Sequence, residues 1–164
     1  VATWVAADSA GNVLVSGTIR SGYSSPVNAN ALLMKFGPDG ALRWRRVYDS
    51  DFDGSSTMRV LVDPQDRAYV AGLGRCPQGL VSTLRQFQAD GSPGWSWCDA
   101  VGIGAPVQAK RTPDGEFVVA ARSVFGSVMC FARIDAQGGT RWTLTGALSP
   151  TLGDAAGDAS GNTY

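Results

Sequence analysis

Three carboxylates at alternate positions, Asp49, Asp51 and Asp53, followed by Gly54, form the sharpest chemical signal in the chain. Oxygen ligands spaced two residues apart can converge on one hard cation such as calcium, and a glycine lets the backbone reverse around it. The sphere is incomplete in the sequence. A twelve-residue calcium loop calls for an acid at its last position, which is Val60, and a loop closing at position nine meets Thr57, which offers only a hydroxyl. Asp63 or Asp66, from the following turn, would have to close it. The simpler reading is an acidic connection between two repeats, since the matching positions further along are Cys98-Asp99-Ala100-Val101 and Leu144-Thr145-Gly146. Apart from calcium, no cofactor is expected.

The chain contains no histidine, which removes imidazole acid-base chemistry, the Ser-His-Asp triad and histidine-bound zinc from consideration. There is no Gly-x-Ser-x-Gly elbow and no phosphate-cradling glycine loop with its lysine. Asp63 and Asp66 could serve as an acid-base pair, but Asp63 recurs as Asp8 and Asp158 in the same turn, so a structural demand explains it. No catalytic residue is assigned. Trp97, on the same strand face as Trp95, could stack on a sugar together with Tyr23 from a long loop. Extra packing between repeats is the plainer alternative. Arg43, Arg45 and Arg46 point to alternating faces of a strand, so a solvated surface or pairing with the neighbouring Asp triplet is expected over phosphate binding. The odd set Cys76, Cys98 and Cys130 lacks metal-ligand spacing; three reduced, packed thiols are expected, with a Cys76–Cys98 disulfide as the alternative.

These residues need elements to position them, and the composition says which. Of 164 residues, 44% are apolar and 17% charged, a globular balance. Acid is carried by thirteen Asp and one Glu, which favours turns over helices. The 14 acids cancel the 14 bases and no basic patch is visible, so a nucleic-acid partner is not expected. No stretch is long and apolar enough for a membrane-spanning helix, so no membrane span is expected. The chain opens at Val1 without methionine or a signal-peptide pattern, and any leader is expected upstream.

Three features recur in fixed order. An Asp/Gly turn leads into an apolar strand: Asp8 to Asn12 then Val13 to Gly17, Asp63 to Arg67 then Ala68 to Gly72, Thr112 to Glu116 then Phe117 to Ala121. A strand ending in Phe36, Phe87 or Ile134 runs into a second glycine turn, containing Gly40, Gly91 and Gly138-Gly139. A tryptophan stands eight residues after Phe36, Phe87 and Ile134 in turn, as Trp44, Trp95 and Trp142. The first turn returns as Asp158 to Asn162, so successive first turns lie 55, 49 and 46 residues apart (8 to 63, 63 to 112, 112 to 158). Most of that variation falls after the second strand, where the first copy carries Thr18 to Asn30 and the third only Arg122 to Ser127.

Each copy offers four short strands, in the first copy Trp4 to Ala7, Val13 to Gly17, Ala31 to Phe36 and Leu42 to Tyr48. Period-two alternation marks Leu32, Met34 and Phe36, and again Trp44, Arg46 and Tyr48. Four antiparallel strands per repeat of about 40–50 residues is the unit of a β-propeller. The expected fold is therefore all-β, a partial β-propeller of about three four-stranded blades plus the start of a fourth: residues 1–55, 56–104, 105–152 and 153–164. Trp44, Trp95 and Trp142 are expected to stack between neighbouring blades, with Gly40 and Gly91 as turn glycines.

Asp8 to Gly17 and Gly157 to Tyr164 resemble the bacterial seven-bladed β-propeller repeat, often called SBBP, whose signature runs Asp-x-x-Gly-Asn-x-Tyr-Val-x-Gly. Met34 to Trp44 is similar to the same family's Lys-Phe-x-x-x-Gly-x-x-x-Trp half. The likeness spans nearly the whole chain and weakens along it, with Asp66-Arg67 replacing Gly-Asn in the second copy and Thr112 replacing Asp in the third. A more distant likeness, through Asp-Gly-x-x-x-Trp, is to pyrroloquinoline-quinone-type propellers. These motifs are structural. The resemblance implies a propeller in an exported bacterial protein, secreted, at the cell surface or periplasmic, with no set activity.

Two functions are then open: a non-catalytic binding, display or structural module with a protein or carbohydrate ligand, or a fragment of a catalytic propeller (lyase, glycosidase or quinoprotein) with an axial site completed by other blades. Closed propellers have about 4–8 blades, so three are expected to be joined by remaining blades of the same chain or by self-association.

Overall fold

The computed structural model describes residues 1–20, 29–48, 56–77, 79–99, 105–122 and 128–147. All of the regular structure among them is β, in twelve strands that form three four-stranded sheets. The first sheet runs β1 (Ala2–Ala7), β2 (Val13–Arg20), β3 (Ala29–Phe36) and β4 (Leu42–Tyr48). β5 (Ser56–Val62), β6 (Ala68–Cys76), β7 (Gly79–Phe87) and β8 (Pro93–Cys98) make the second. The third comprises β9 (Ala105–Arg111), β10 (Phe117–Arg122), β11 (Val128–Ile134) and β12 (Thr140–Ala147). Within each sheet the strands lie side by side in chain order, every pair antiparallel. The second and third strands of the first sheet extend three and two residues beyond the apolar runs that define them in sequence.

Six hairpin turns share one geometry. In each, the first residue's N–H reaches the carbonyl four residues on, and the fourth residue's N–H returns to the first carbonyl, as in Asp8 N to Asn12 O at 3.0 Å and Gly11 N to Asp8 O at 3.1 Å. The fourth residue must then adopt positive φ, which glycine does at no steric cost. It is glycine in five of the six, and Asp66, with φ 58°, in the other. A bulge follows the second turn in all three sheets, falling at Lys35/Phe36, Arg85/Phe87 and Arg133/Ile134. One extra residue there sets which way the next side chains point.

The sheets pack face to face in order. β5 lies against β1, β2 and β3, and β9 lies against β5, β6 and β7. Between the first and second sheets Leu14 and Leu33 meet Val60, Ala68, Val70 and Phe87, with Trp44 and Tyr48 at the margin. Between the second and third, Tyr69, Leu84 and Trp97 meet Phe117, Val119 and Ile134. The second sheet is thus apolar on both faces, as a layer covered on both sides must be.

Cysteine usage departs from the expectation of three free thiols. Cys76, at the end of β6, and Cys98, at the end of β8, form a disulfide closing a 22-residue separation, and Cys130 is free and buried. The spacing of 22 residues hid this because the two ends meet only once β6, β7 and β8 pair in register.

Candidate binding interface

The three repeated tryptophans are best understood from the turn each one faces. Trp44 leaves β4 of the first sheet and donates its indole N–H to the carbonyl of Ala89, 3.1 Å away, in the second sheet's β7–β8 turn. Trp95 does the same one step along, donating to Ala136 O at 3.1 Å in the third sheet's β11–β12 turn. Each ring lies over the positive-φ glycine of the turn it grips. A Cβ on Gly91 would stand 2.7 Å from the Trp44 ring, and one on Gly138 would stand 2.6 Å from Trp95. Glycine is required there twice over, for its backbone angle and for the close approach of the ring.

Neighbouring side chains strengthen the grip. Lys35 donates to Ala89 O at 3.2 Å, and Arg46 donates from Nε to Gly91 O at 2.7 Å. Arg46 was expected at a solvated surface or on the Asp triplet; it is instead half-buried against the second sheet, because its strand face is the one that sheet covers. Arg43 pairs with Asp39 at 3.0 Å in the open. At the place equivalent to Arg46, the second sheet has Trp97, 4% exposed, with its N–H donated to Thr140 Oγ1 at 2.9 Å. Trp97 lies between sheets, against the third. Tyr23, its proposed companion, lies outside the described residues.

The third tryptophan is different. Trp142 is 36% exposed, Leu144 on the same strand face is 62% exposed, and no following turn among the described residues covers them. At the opposite end, Gly40 carries the same positive φ as Gly91, yet a Cβ there would meet nothing within 4 Å. Among the described residues, neither Trp142 nor the turn at Gly40 meets a counterpart.

A second layer of polar contacts fixes the first turn of each repeat. In the first sheet Asp8 Oδ1 accepts from the N–H groups of Ala10 and Asn12, and Oδ2 is 2.7 Å from Lys35 Nζ, both side chains buried. Burial opposes ionisation of Asp8, but hydrogen bonds from Lys35 and Asn12 and the lysine charge outweigh it and hold its carboxyl below the ordinary 3.8. In the second, Asp63 accepts from Tyr69 Oη at 2.8 Å, from Arg67 Nε at 2.7 Å and from the Arg67 and Gln65 N–H groups. Burial again works against the charge, and these donors again win, so the Asp63 pKa is lowered. In the third, Thr112 Oγ1 bonds Asp114, and Arg133 joins Asp114 and Glu116 at 2.6 Å each. Lys35, Gln86 and Arg133, each just before the apolar residue that ends its strand, reach this cluster in turn; the sequence shows their shared position but not their shared use.

The first two turns also touch each other. Asp66 accepts from Ser9 N–H and Ser9 Oγ, both at 2.8 Å, across the first and second sheets. Asp63 and Asp66, the acids that could have completed a calcium sphere, are thus occupied by protein donors. Asp49, Asp51 and Asp53 lie outside the described residues, and no group of three Asp, Glu or Cys suited to a metal occurs among the described residues. No helix among the described residues is long and apolar enough to cross a membrane.

No family model matches the chain, and no curated protein matches it. The class the fold defines is a stack of three antiparallel four-stranded sheets joined by a repeated tryptophan-on-turn contact.

Proposed function

We propose that the chain is a run of three β-propeller blades, with the opening of a fourth, serving as a non-catalytic binding or display module of a larger exported bacterial protein. The observation that carries this reading is the contact repeated between sheets one and two and between sheets two and three: the same tryptophan donor, carbonyl acceptor and glycine seat at each step. Adjacent first strands, β1 beside β5 beside β9, support an arrangement about a common axis. The likeness of Asp8 to Gly17 and Met34 to Trp44 to the bacterial seven-bladed propeller repeat supports it independently.

Binding is favoured over catalysis because the acids nearest the first strands, Asp8 and Asp63, are each held by a cation and by turn N–H groups, an arrangement that keeps them ionised and structural. The sequence variation concentrates after the second strand of each repeat, on one rim, where a ligand of protein or carbohydrate chemistry would meet the module. A Cys76–Cys98 disulfide suits export to an oxidising compartment.

The geometry is tested with paired spin labels at exposed, equivalent turn positions, Asp39→Cys, Asp90→Cys and Gln137→Cys. Blades fanned about an axis give equal distances from 39 to 90 and from 90 to 137, and a distance from 39 to 137 clearly short of their sum. A 39-to-137 distance equal to the sum describes a straight stack and overturns the propeller reading. Turnover of glycoside or uronate substrates by the purified chain, abolished in Asp63→Asn, would overturn the non-catalytic part.

A further inference from the structure

We propose that the first strands of the first two sheets bind an acidic sugar, with Trp4 as the stacking surface and Arg59 as the partner of the sugar's carboxylate. The proposal rests on the binding reading above and deepens it by naming a site and a ligand class. The first strand of every sheet carries a bulge at one place: the register slips at Ala2/Trp4 in β1, at Thr57/Arg59 in β5 and between Pro106 and Gln108 in β9. The extra residue, Thr3, Met58 or Val107, stands five positions before Asp8, Asp63 or Thr112 in turn. A bulge re-aims the side chain beside it, and bulges are over-represented next to functional sites. Here that side chain is Trp4, Arg59 or Gln108, so one repeated backbone frame presents an aromatic ring, a cation and an amide.

The first two of these meet. The Arg59 guanidinium lies over the Trp4 ring, 4.3 Å from its centre. Trp4 shares a strand face with Ala6, which packs toward the second sheet, yet it stays 42% exposed. Trp44, Trp95 and Trp97 all give their N–H groups to the neighbouring sheet. Among the described residues, by contrast, the Trp4 N–H has no acceptor and the Arg59 guanidinium no acid partner. Ser16, opposite Trp4 in register, is buried with a hydroxyl that has no hydrogen-bond partner. Ala71 and Ala120 stand opposite Arg59 and Gln108, so the fold does not require a hydroxyl there. A buried hydroxyl left unmet costs stability, and packing gives no reason to keep it.

The charges name the ligand. The charged residues of β1, β5 and β9 are Arg59, Lys110 and Arg111, all cationic, and the acids that follow β1 and β5 are already paired with Lys35 and Arg67. An anion is therefore the complement. A guanidinium takes a carboxylate in two parallel hydrogen bonds, while the indole offers an apolar surface to a pyranose ring and an N–H to one of its hydroxyls. A uronate carries the carboxylate, the apolar ring face and the hydroxyls in one unit. Ala2 pairs with Gly17 near the end of β2, so the site lies toward the rim where the connection after the second strand varies.

Calorimetric titration of the 164-residue chain with tetramers of galacturonate, glucuronate and mannuronate gives the test. At least one is expected to bind, more weakly as salt rises, and about ten-fold more weakly once its carboxylates are methyl esters. Trp4→Ala is expected to lose about ten-fold or more in affinity, and Trp4→Phe, which keeps a ring, less. Arg59→Gln should bind the acid and its ester alike. Ser16→Ala should weaken binding without lowering the melting temperature. Should Trp4→Ala melt early, Trp4→Phe and Arg59→Gln carry the test. Failure of all three tetramers to bind, equal affinity for acid and ester, or binding untouched in the Trp4 and Arg59 variants overturns the proposal. Tetraglutamate bound as tightly as the uronates overturns it too, since the site then reads charge alone. The label distances and the turnover assay judge the propeller and its non-catalytic role separately, so either reading can fail without the other.

Discussion

Tyr69 joins an acid to an amide inside the second sheet, donating its hydroxyl to Asp63 Oδ2 at 2.8 Å and accepting from Gln86 Nε2 at 3.1 Å. Tyr69→Phe leaves the ring packed on Phe117 and Trp95 but takes one partner from each polar neighbour, at a cost of about 1–3 kcal/mol. A lower urea midpoint at unchanged slope is the expected reading. The acids set the response to pH. Asp8 and Asp63 titrate lower folded than their ordinary 3.8, so each contributes stability in full above the unfolded value and loses it as pH falls through the folded one. The melting temperature should therefore hold from pH 7 to about 5 and decline below about 4, and Asp63→Asn should flatten part of that decline. Asp66 tests a different balance. It accepts two donors from Ser9 at a backbone angle that disfavours most side chains, so Asp66→Ala, which keeps the strain and loses the bonds, should destabilise more than Asp66→Gly, which relieves it.

Turns and tryptophans act as one element, and substitution at equivalent glycines separates backbone from contact. Gly91→Asn and Gly40→Asn face nearly equal φ, 80° and 76°, but only the first meets a ring. Thermal melts should show a marked loss for Gly91→Asn and little change for Gly40→Asn. The disulfide between β6 and β8 is the other element-level restraint. Removing it by Cys76→Ser with Cys98→Ser should cost about 3 kcal/mol, given the length of the loop it closes. Cys130 should resist thiol reagents until the chain unfolds, since burial and the nearby Asp99 charge push its pKa to about 11. Much of this level was legible beforehand: the glycine turns, the strand alternation and the tryptophan spacing are local patterns of two to eight residues. What joins the sheets was legible only in part: the tryptophans are expected between neighbouring repeats, but the polar contacts beside them are not. Arg46 and Gly91 are 45 residues apart and Ser9 and Asp66 are 57, and neither pair differs in residue type from an ordinary exposed arginine or turn serine. The Cys76–Cys98 pairing depends on the register of β6, β7 and β8, which no local pattern shows.

At the scale of the molecule, the three sheets differ chiefly in how many neighbours they have. The second is covered on both faces, grips the third through Trp95 and Trp97, is gripped by Trp44, Lys35 and Arg46, and holds the disulfide. The first and third sheets each pack chiefly on the second. Contacts that run only between adjacent units give stability as a sum of unit and nearest-neighbour terms, so unfolding frays inward from the ends. Amide exchange should accordingly be slowest in β6 and β7 and faster in β4 and β12, and adding a unit at either end should slow exchange in the strand it covers. The grip repeated at Ala89 and Ala136 joins each unit to the next in the same way, so it makes the stack a structure whose persistence grows with its length.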